Sequence, residues 1–401
     1  MTALIITAGT AISAMGRGME ATRTCLLEQR QTLQPDTFQS PGHGYIGRVA
    51  GVEDHQLPGA LHRFDCRNNR LADMALMTDD FMEAVADARA HYGRHRLAVV
   101  MGTSTSGILT TEKAYAARKD RDEALPPDFP YDGTQDLSSL PRYVAARLDV
   151  TGPMLTVSNA CASSTRAFID AAHLLATGLC DAAIVGGADS LCRMTLQGFA
   201  SLGLVSAHPT RPCDIGRSGI SIGEAAGFAL LEQADGRPRP ARPAGYRLRL
   251  LGYGASSDGH HMSSPDPTGS GAALAIQKAL ARASLPPEAI GYINMHGTGT
   301  PANDQMEDRA MASIFGRAVP CSSTKGWSGH TLGASGILES MICAIAIQDQ
   351  YLPHCMNSQT VDPLFQSDIL LAPRHGKLNF VMNNSFGFGG TNSSLIFGPL
   401  T

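Results

Sequence analysis

Short apolar runs alternate along this chain with alanine-rich stretches of helical period, and that alternation predicts an α/β layered fold. Met154-Leu-Thr-Val-Ser158 is short, apolar and partly β-branched, which predicts a buried strand. Phe168, Ala171, Ala172 and Leu175 then recur at i, i+3, i+4 and i+7, one face of an amphipathic helix. Ala182-Ala-Ile-Val-Gly-Gly187 predicts the next strand and completes a βαβ unit. Leu97-Ala-Val-Val-Met101 is a further strand, followed by a loop of small polar residues from Gly102 to Gly107. Residues 118–142 are charged, proline-containing and weakly periodic, so they are expected outside the core. Glu232 to Tyr246 carries Gly236, Pro238, Pro240 and Pro243 among arginines and reads as a linker. It divides the chain into halves, residues 1–240 and 241–401. Beyond it the pattern restarts: strand Arg247–Tyr253, helix Gly271–Ala283, strand Tyr292–Met295, helix Met306–Phe315 and helix Ala334–Gln348. No short-period repeat is present.

Composition narrows the classes. The 401 residues are 43% hydrophobic, enough for a large core and for two domains. The formal net charge of -4, with no basic block or aromatic-interleaved arginine stripe, argues against a nucleic-acid partner. Nine cysteines, with no Cys-x-x-Cys pair, suit a reducing cytosol better than a disulfide framework. Met1-Thr-Ala-Leu-Ile-Ile-Thr-Ala8 lacks a basic leader and soon meets Gly9, so it reads as a first strand rather than a signal peptide. No stretch reads as a membrane span. A soluble cytoplasmic protein is expected.

Candidate chemistry begins at Asn159-Ala-Cys-Ala-Ser-Ser164, where a strand should turn into a helix. Cys161 would sit at the helix N-terminus, where free N–H groups and the helix dipole favour a thiolate. Two readings stand there: a nucleophile, or a small core residue, since free cysteines are often buried. The second half echoes the place, with Leu378–Met382 running into Asn383-Asn-Ser-Phe-Gly-Phe-Gly-Gly-Thr-Asn392. That glycine-rich bend permits close backbone approach or is simply a tight turn. His296 follows a strand, and His330 lies in Ser323-Thr-Lys-Gly-Trp-Ser-Gly-His-Thr331. Both stand among small residues where substrate could reach an imidazole, although a lone histidine can equally be structural. Their separation along the chain does not suggest a metal site. Gly297-Thr-Gly-Thr-Pro-Ala302 formally fits a dinucleotide fingerprint, but Pro301 and the missing βαβ context argue against a nucleotide-dependent oxidoreductase. There is no Gly-x-Ser-x-Gly elbow or P-loop.

In sequence order, Ala160-Cys-Ala-Ser-Ser164, Arg211-Pro-Cys-Asp214, Tyr253–Met262, His296-Gly-Thr-Gly-Thr300, Lys325 with Gly329-His330-Thr331, and Asn384–Thr391 resemble the condensing enzymes of the thiolase fold. The resemblance is to β-ketoacyl-acyl carrier protein synthases of the elongating type, and it covers nearly the whole chain. It implies two pseudo-repeated halves, with mixed sheets and buried helices in an αβαβα layering. It also implies a ping-pong decarboxylative Claisen condensation. Cys161 would take the acyl chain from a carrier-protein thioester, and malonyl-carrier protein would lose carbon dioxide and attack it. By the same resemblance, His296 and His330 would stabilise the developing enolate, with Lys325 supporting them electrostatically. The N–H groups of Cys161 and Phe388 would form an oxyanion hole, and Phe388 would be a gate. Thr298 and Thr300 would bind the pantetheine arm. Thr105 and Phe199 would line the acyl pocket. Glu339 would pair with the lysine network, and Glu307 would be an acidic neighbour.

The resemblance implies no metal and no cofactor beyond the phosphopantetheine of the acyl carrier protein. The implied partners are that carrier protein and a second ketosynthase-like chain, as a homodimer or a heterodimer, with no nucleic acid and no membrane. A non-catalytic chain-length-factor partner is the rival within the fold, although such chains generally lack the nucleophile. Gly203 and Ser218 replace residues usual in fatty-acid members, which points towards a fatty-acid-related dedicated pathway, polyene or polyketide. Arg63, Arg67 and Arg70, three or four residues apart, are the candidate basic face for an acidic carrier protein.

Overall fold

Twelve strands form one sheet, eleven along a continuous path and Gly16–Arg17 paired beside it, in a computed structural model that describes residues 3–38, 44–120, 122–127, 129–236 and 246–400. In the first half, Met154–Val157, Leu97–Gly102 and Ala182–Asp189 run parallel, and Ala225–Gln233 and Leu4–Ser13 follow antiparallel. The second half repeats the scheme. Asp368–Ile369, Pro320–Ser322, Tyr292–Asn294 and Val381–Gly387 are parallel, and Thr391–Pro399 and Leu248–Ser257 are antiparallel. The halves meet where Leu4 pairs Leu250 and Ile6 pairs Leu248. The middle of the presumed linker, residues 237–245, lies outside the described residues.

Two helices occupy the centre, Ser163–Ala176 and Ser335–Asp349, each preceded by a reactive segment. Residues 335–347 of the second helix are buried without exception, which is why it shows no amphipathic stripe and reads apolar all round. Together with the turn before it, Leu332–Asp349 is long and apolar enough to cross a membrane, contrary to the sequence reading. It is a core element here, 89% of it inside the fold. Arg67–Leu76, Phe81–Tyr92 and Ser139–Leu148 cover the outer face of the first half. Ser270–Ala283 and Pro301–Phe315 cover that of the second. This is the thiolase-like αβαβα arrangement. Gly252 and Gly254 let the Ser270–Ala283 helix lie directly on its strand, since a Cβ at either would fall 2.1–2.2 Å from a helix carbonyl.

Several boundaries differ from expectation for physical reasons. Met154–Val157 forms a strand, but at the sheet edge, and Met154 and Leu155 are 48% and 39% exposed. Residues 118–142 are not wholly an excursion. The helix Ser139–Leu148 begins inside them and buries Leu140, Tyr143 and Val144, with Pro141 tolerated in its first turn. The helix expected from Met306 starts at Pro301, with Thr300 as its cap, accepting from the Asn303 N–H. The strand expected to stop at Met382 continues through Gly387, so the bend falls at Phe388–Gly390. Gly389 and Gly390 there have φ of 82° and 71°.

Candidate active site

Cys161 sits at the turn between the edge strand and the first central helix. Ala160 takes φ 47°, a left-handed conformation that costs a non-glycine residue roughly 1 kcal/mol or more. Ser163 holds the turn shut: its Oγ donates to the Ala160 carbonyl (2.6 Å) and accepts from the Asn159 N–H (2.9 Å). Cys161 is thereby presented just ahead of the helix, 5% exposed. Burial pushes its thiol up to about 12, and Lys325 pulls the other way. Burial thus opposes the thiolate that the helix terminus was expected to favour. Gly387 packs against this turn, and a Cβ there would lie 3.1 Å from the Cys161 nitrogen. The nearby Phe388 backbone N–H also pulls the thiol down, against the burial.

Both histidines come from the second half. The backbone after strand Tyr292–Asn294 is fixed by Glu307, whose carboxylate accepts from the N–H of His296 (2.8 Å) and of Gly297 (2.7 Å). Burial raises Glu307 to about 8 against those two donors. His330 is fixed at its backbone by donating to the Ser221 carbonyl (2.7 Å). Its Nδ1 lies 3.1 Å from Ser335 Oγ and its Nε2 3.0 Å from Cys161 Sγ. The two imidazoles stand 5.3 Å apart and nearly perpendicular. Burial holds both well below the usual histidine range, with Lys325 pushing the same way. They are neutral at physiological pH. Lys325 is itself 1% exposed and pairs with Glu339, which burial raises to about 7.

A cavity of about 260 Å³ opens onto Cys161, His296 and His330. Of the other predicted residues, Thr298, Thr300, Phe199 and Phe388 line it. The hydroxyls of Thr298 and Thr300 are 2.9 Å apart, and the rings of Phe199 and Phe388 lie 5.6 Å apart. Lys325, Glu307 and Glu339 stand behind the lining and act on it through the histidines. Thr105 is not in the lining either, and its hydroxyl donates to Asp189 (2.8 Å). Sequence reasoning passed over Asp258, although it had marked the segment around it. Asp258 accepts from Asn392 Nδ2 (2.7 Å), and its N–H donates to the Gly390 carbonyl (2.8 Å), tying down the glycine turn beneath Phe388.

Distance along the chain proved a poor guide to metal chemistry. The ligand atoms of Cys161, His296 and His330 all lie within 4.8 Å of one another, the spacing of a three-ligand site. The buried Lys325 sets a positive potential on all three groups, which disfavours a cation there.

The arginine face is also corrected. Arg67 is 7% exposed and pairs with Glu224 (2.8 Å) and Glu53 (3.2 Å). Arg70 is committed to Asp65. Arg63 is exposed but belongs to the preceding 3₁₀ turn Gly59–Phe64. Three arginines at helical spacing therefore do not share one solvent face.

A buried cysteine on a largely apolar cavity, facing two imidazoles whose protonation burial disfavours, suits a condensing acyltransferase of the thiolase-like fold. Residues 10–236 match the description "Beta-ketoacyl synthase, N-terminal domain", and residues 248–359 match "Beta-ketoacyl synthase, C-terminal domain". The chain belongs to the β-ketoacyl synthase family and is an acyltransferase of the condensing type. It is 31% identical to a 3-oxoacyl-[acyl-carrier-protein] synthase 2 of Vibrio harveyi, over 98% of each chain. Among solved structures it resembles a chain of the ketosynthase ApeO in complex with its chain length factor ApeC from Xenorhabdus doucetiae. The identity there is 38% and the TM-score 0.88, covering 100% of this chain and 98% of that one. The ishigamide ketosynthase/chain length factor is 26% identical with TM-score 0.88, over the full length of both chains.

Proposed function

We propose that this chain is the catalytic ketosynthase of a dissociated system, extending a carrier-bound acyl chain by decarboxylative Claisen condensation with malonyl-acyl carrier protein. The observation that carries this reading is Cys161 Sγ at 3.0 Å from His330 Nε2, on the wall of a cavity shared with His296. In the first half-reaction the Cys161 sulfur attacks the acyl thioester, and the carrier leaves as its thiol, taking the proton that the cysteine gave up. Acylation removes the charge problem of a buried thiolate. In the second, malonyl-carrier protein loses carbon dioxide, and the enolate carbon attacks the Cys161 thioester. The tetrahedral oxyanion is held by the N–H groups of Cys161 and Phe388, and its collapse releases the Cys161 sulfur as a thiolate, which takes one proton from solvent to return to the thiol. Neutral His296 and His330 donate hydrogen bonds to the enolate oxygen as charge develops on it. Burial keeps both imidazoles neutral with Lys325 adding to it, and Glu339 holds Lys325. Thr298 and Thr300 receive the pantetheine arm, Phe388 gates it, and Phe199 bounds the acyl end.

The groups used are all side chains and backbone N–H of this chain, and phosphopantetheine enters only as part of the carried substrate. The units that combine are residues 1–240, with the nucleophile, and 241–401, with the histidines and glycine turn. A soluble cytoplasmic setting fits a reaction between carrier proteins. Two observations favour a two-chain enzyme. The edge strand Met154–Val157 leaves Met154 and Leu155 exposed beside unpaired backbone groups. A similar chain belongs to a solved complex of the ketosynthase ApeO with its chain length factor ApeC. A dedicated polyene or polyketide pathway is the setting this likeness favours.

The test is reconstitution with carrier proteins loaded with an acyl and a malonyl group, with release of carbon dioxide and the β-ketoacyl product followed together. The proposal expects stoichiometric product and carbon dioxide from the wild-type chain with its partner, and neither from Cys161→Ala. Carbon dioxide release with no new carbon–carbon bond would contradict it.

A further inference from the structure

Asp189 is a carboxylate with no exposure and no cation paired to it among the described residues, yet it is saturated with donors. It ends the strand Ala182–Asp189, beside the loop expected from sequence to be merely polar and small. The hydroxyls of Thr103 (2.8 Å), Ser104 (2.5 Å) and Thr105 (2.8 Å) donate to it. So do the N–H groups of Ser104 (2.8 Å), Thr105 (2.9 Å) and, from the other half of the chain, Gly333 (2.6 Å). Gly333 lies three residues after His330, and a Cβ on it would fall 2.7 Å from Asp189 Oδ2, so the tight approach requires glycine.

We propose that Asp189 is a positioning residue for the condensation. Its carboxylate clamps the loop Thr103–Thr105 of the first half to the histidine-bearing segment His330–Gly333 of the second. The clamp fixes the position of the second half's segment, and with it the imidazole that contacts Cys161, relative to the first half. Thr105 belongs to it through both its N–H and its hydroxyl, so the threonine presents only its methyl group to anything beyond Asp189. The carboxylate also acts on the nucleophile at a distance: its charge pushes the Cys161 thiol up, against the pull of Lys325. Asp189 and Lys325 thus act on the sulfur with opposite sign. The inference rests on the roles proposed above for Cys161 and His330.

Asp189→Asn keeps the shape but sets an NH₂ against groups that are themselves donors. Condensation kcat should fall about 10²-fold, the scale of a misplacement near 1 Å, with little change in KM for malonyl-carrier protein. Alkylation of Cys161 by iodoacetamide should survive, with its pH midpoint moved lower because the opposing charge is gone. Thr105→Val removes one hydroxyl and keeps the carboxylate. It should lower condensation kcat about tenfold and leave the alkylation midpoint in place. The proposal is overturned if Asp189→Asn condenses at the wild-type rate. It is equally overturned if acylation and condensation fall in parallel with the folded fraction while the alkylation midpoint stays put, since that is a purely structural role. If Asp189→Asn does not fold, wild-type condensation in Thr105→Val together with Ser104→Ala overturns the clamp. A wild-type enzyme unable to condense at all would instead count against the proposed function.

Discussion

Arg67 and Lys325 are both buried cations paired with buried carboxylates, one in each half of the molecule, and they do opposite things. Arg67 meets Glu224, whose other bonds go to the backbone N–H of Val49 and Leu191. Those contacts join loops, and no reactive group lies within the cluster. Burial raises the Glu224 carboxyl, and Arg67 counteracts it. Lys325 meets Glu339, and its charge falls on Cys161, His296 and His330. A buried ion pair is thus no mark of catalysis by itself. What distinguishes the second pair is that its field is felt by groups lining a cavity.

Lys325→Ala sharpens this contrast most. Condensation should fall by about 10²–10³, on the scale of losing one stabilising group at a reacting centre. The sign of the pH effect is fixed. Lys325 lowers both histidines and the thiol, so removing it lets all three rise. The imidazoles then protonate at a higher pH, and the acid limb of the pH–rate profile moves upward. An unchanged limb would mean the lysine acts only by packing. His296→Ala and His330→Ala should come next, impairing decarboxylation of malonyl-carrier protein more than acylation of Cys161. Separate assays of the two half-reactions check this, and equal losses would break the division of labour.

Arg67→Ala should show the opposite profile. It strands Glu224 without its cation, and breaking a buried pair costs about 3–5 kcal/mol. Chemical denaturation should register that loss, while turnover per folded molecule stays near wild type. A large drop in turnover without destabilisation would erase the contrast between the pairs. The smallest effect is expected at Arg63, which is exposed and stacked 4.7 Å over the Phe64 ring. Arg63→Glu should change stability by less than about 0.5 kcal/mol. A raised KM for carrier-bound substrate, with a small pantetheine thioester unaffected, would place the docking face there.

The sequence was readable where a residue's neighbours constrain it locally. Cys161 stands between a strand pattern and a helix pattern, and His296 and His330 stand among glycines and small residues, so their segments were visible before any geometry. The α/β layering followed from alternating periods for the same reason, whereas the αβαβα arrangement came from the family resemblance. Asp189 was invisible: its donors come from residues 103–105 and from Gly333, and no local pattern links them. Arg67 was misread because spacing shows which residues share a helix face but not which face turns inward. Its neighbours Asn68 and Asn69 are equally buried. Met154–Val157 was misread in the reverse sense. An apolar run predicts burial, but a sheet must end somewhere, and an edge prepared for a partner looks the same in one chain. The state of the Cys161 thiol was also out of reach, because the helix terminus is local whereas desolvation is set by the whole fold.

The central claim is that Cys161 carries the acyl chain, and intact-protein mass spectrometry after incubation with acyl-carrier protein tests it most directly. The wild-type chain should gain the mass of one acyl group, located by proteolysis to the peptide containing Cys161, and Cys161→Ala should gain none. An acyl adduct that persists on Cys161→Ala, or one that maps to any of the other eight cysteines, would contradict the account.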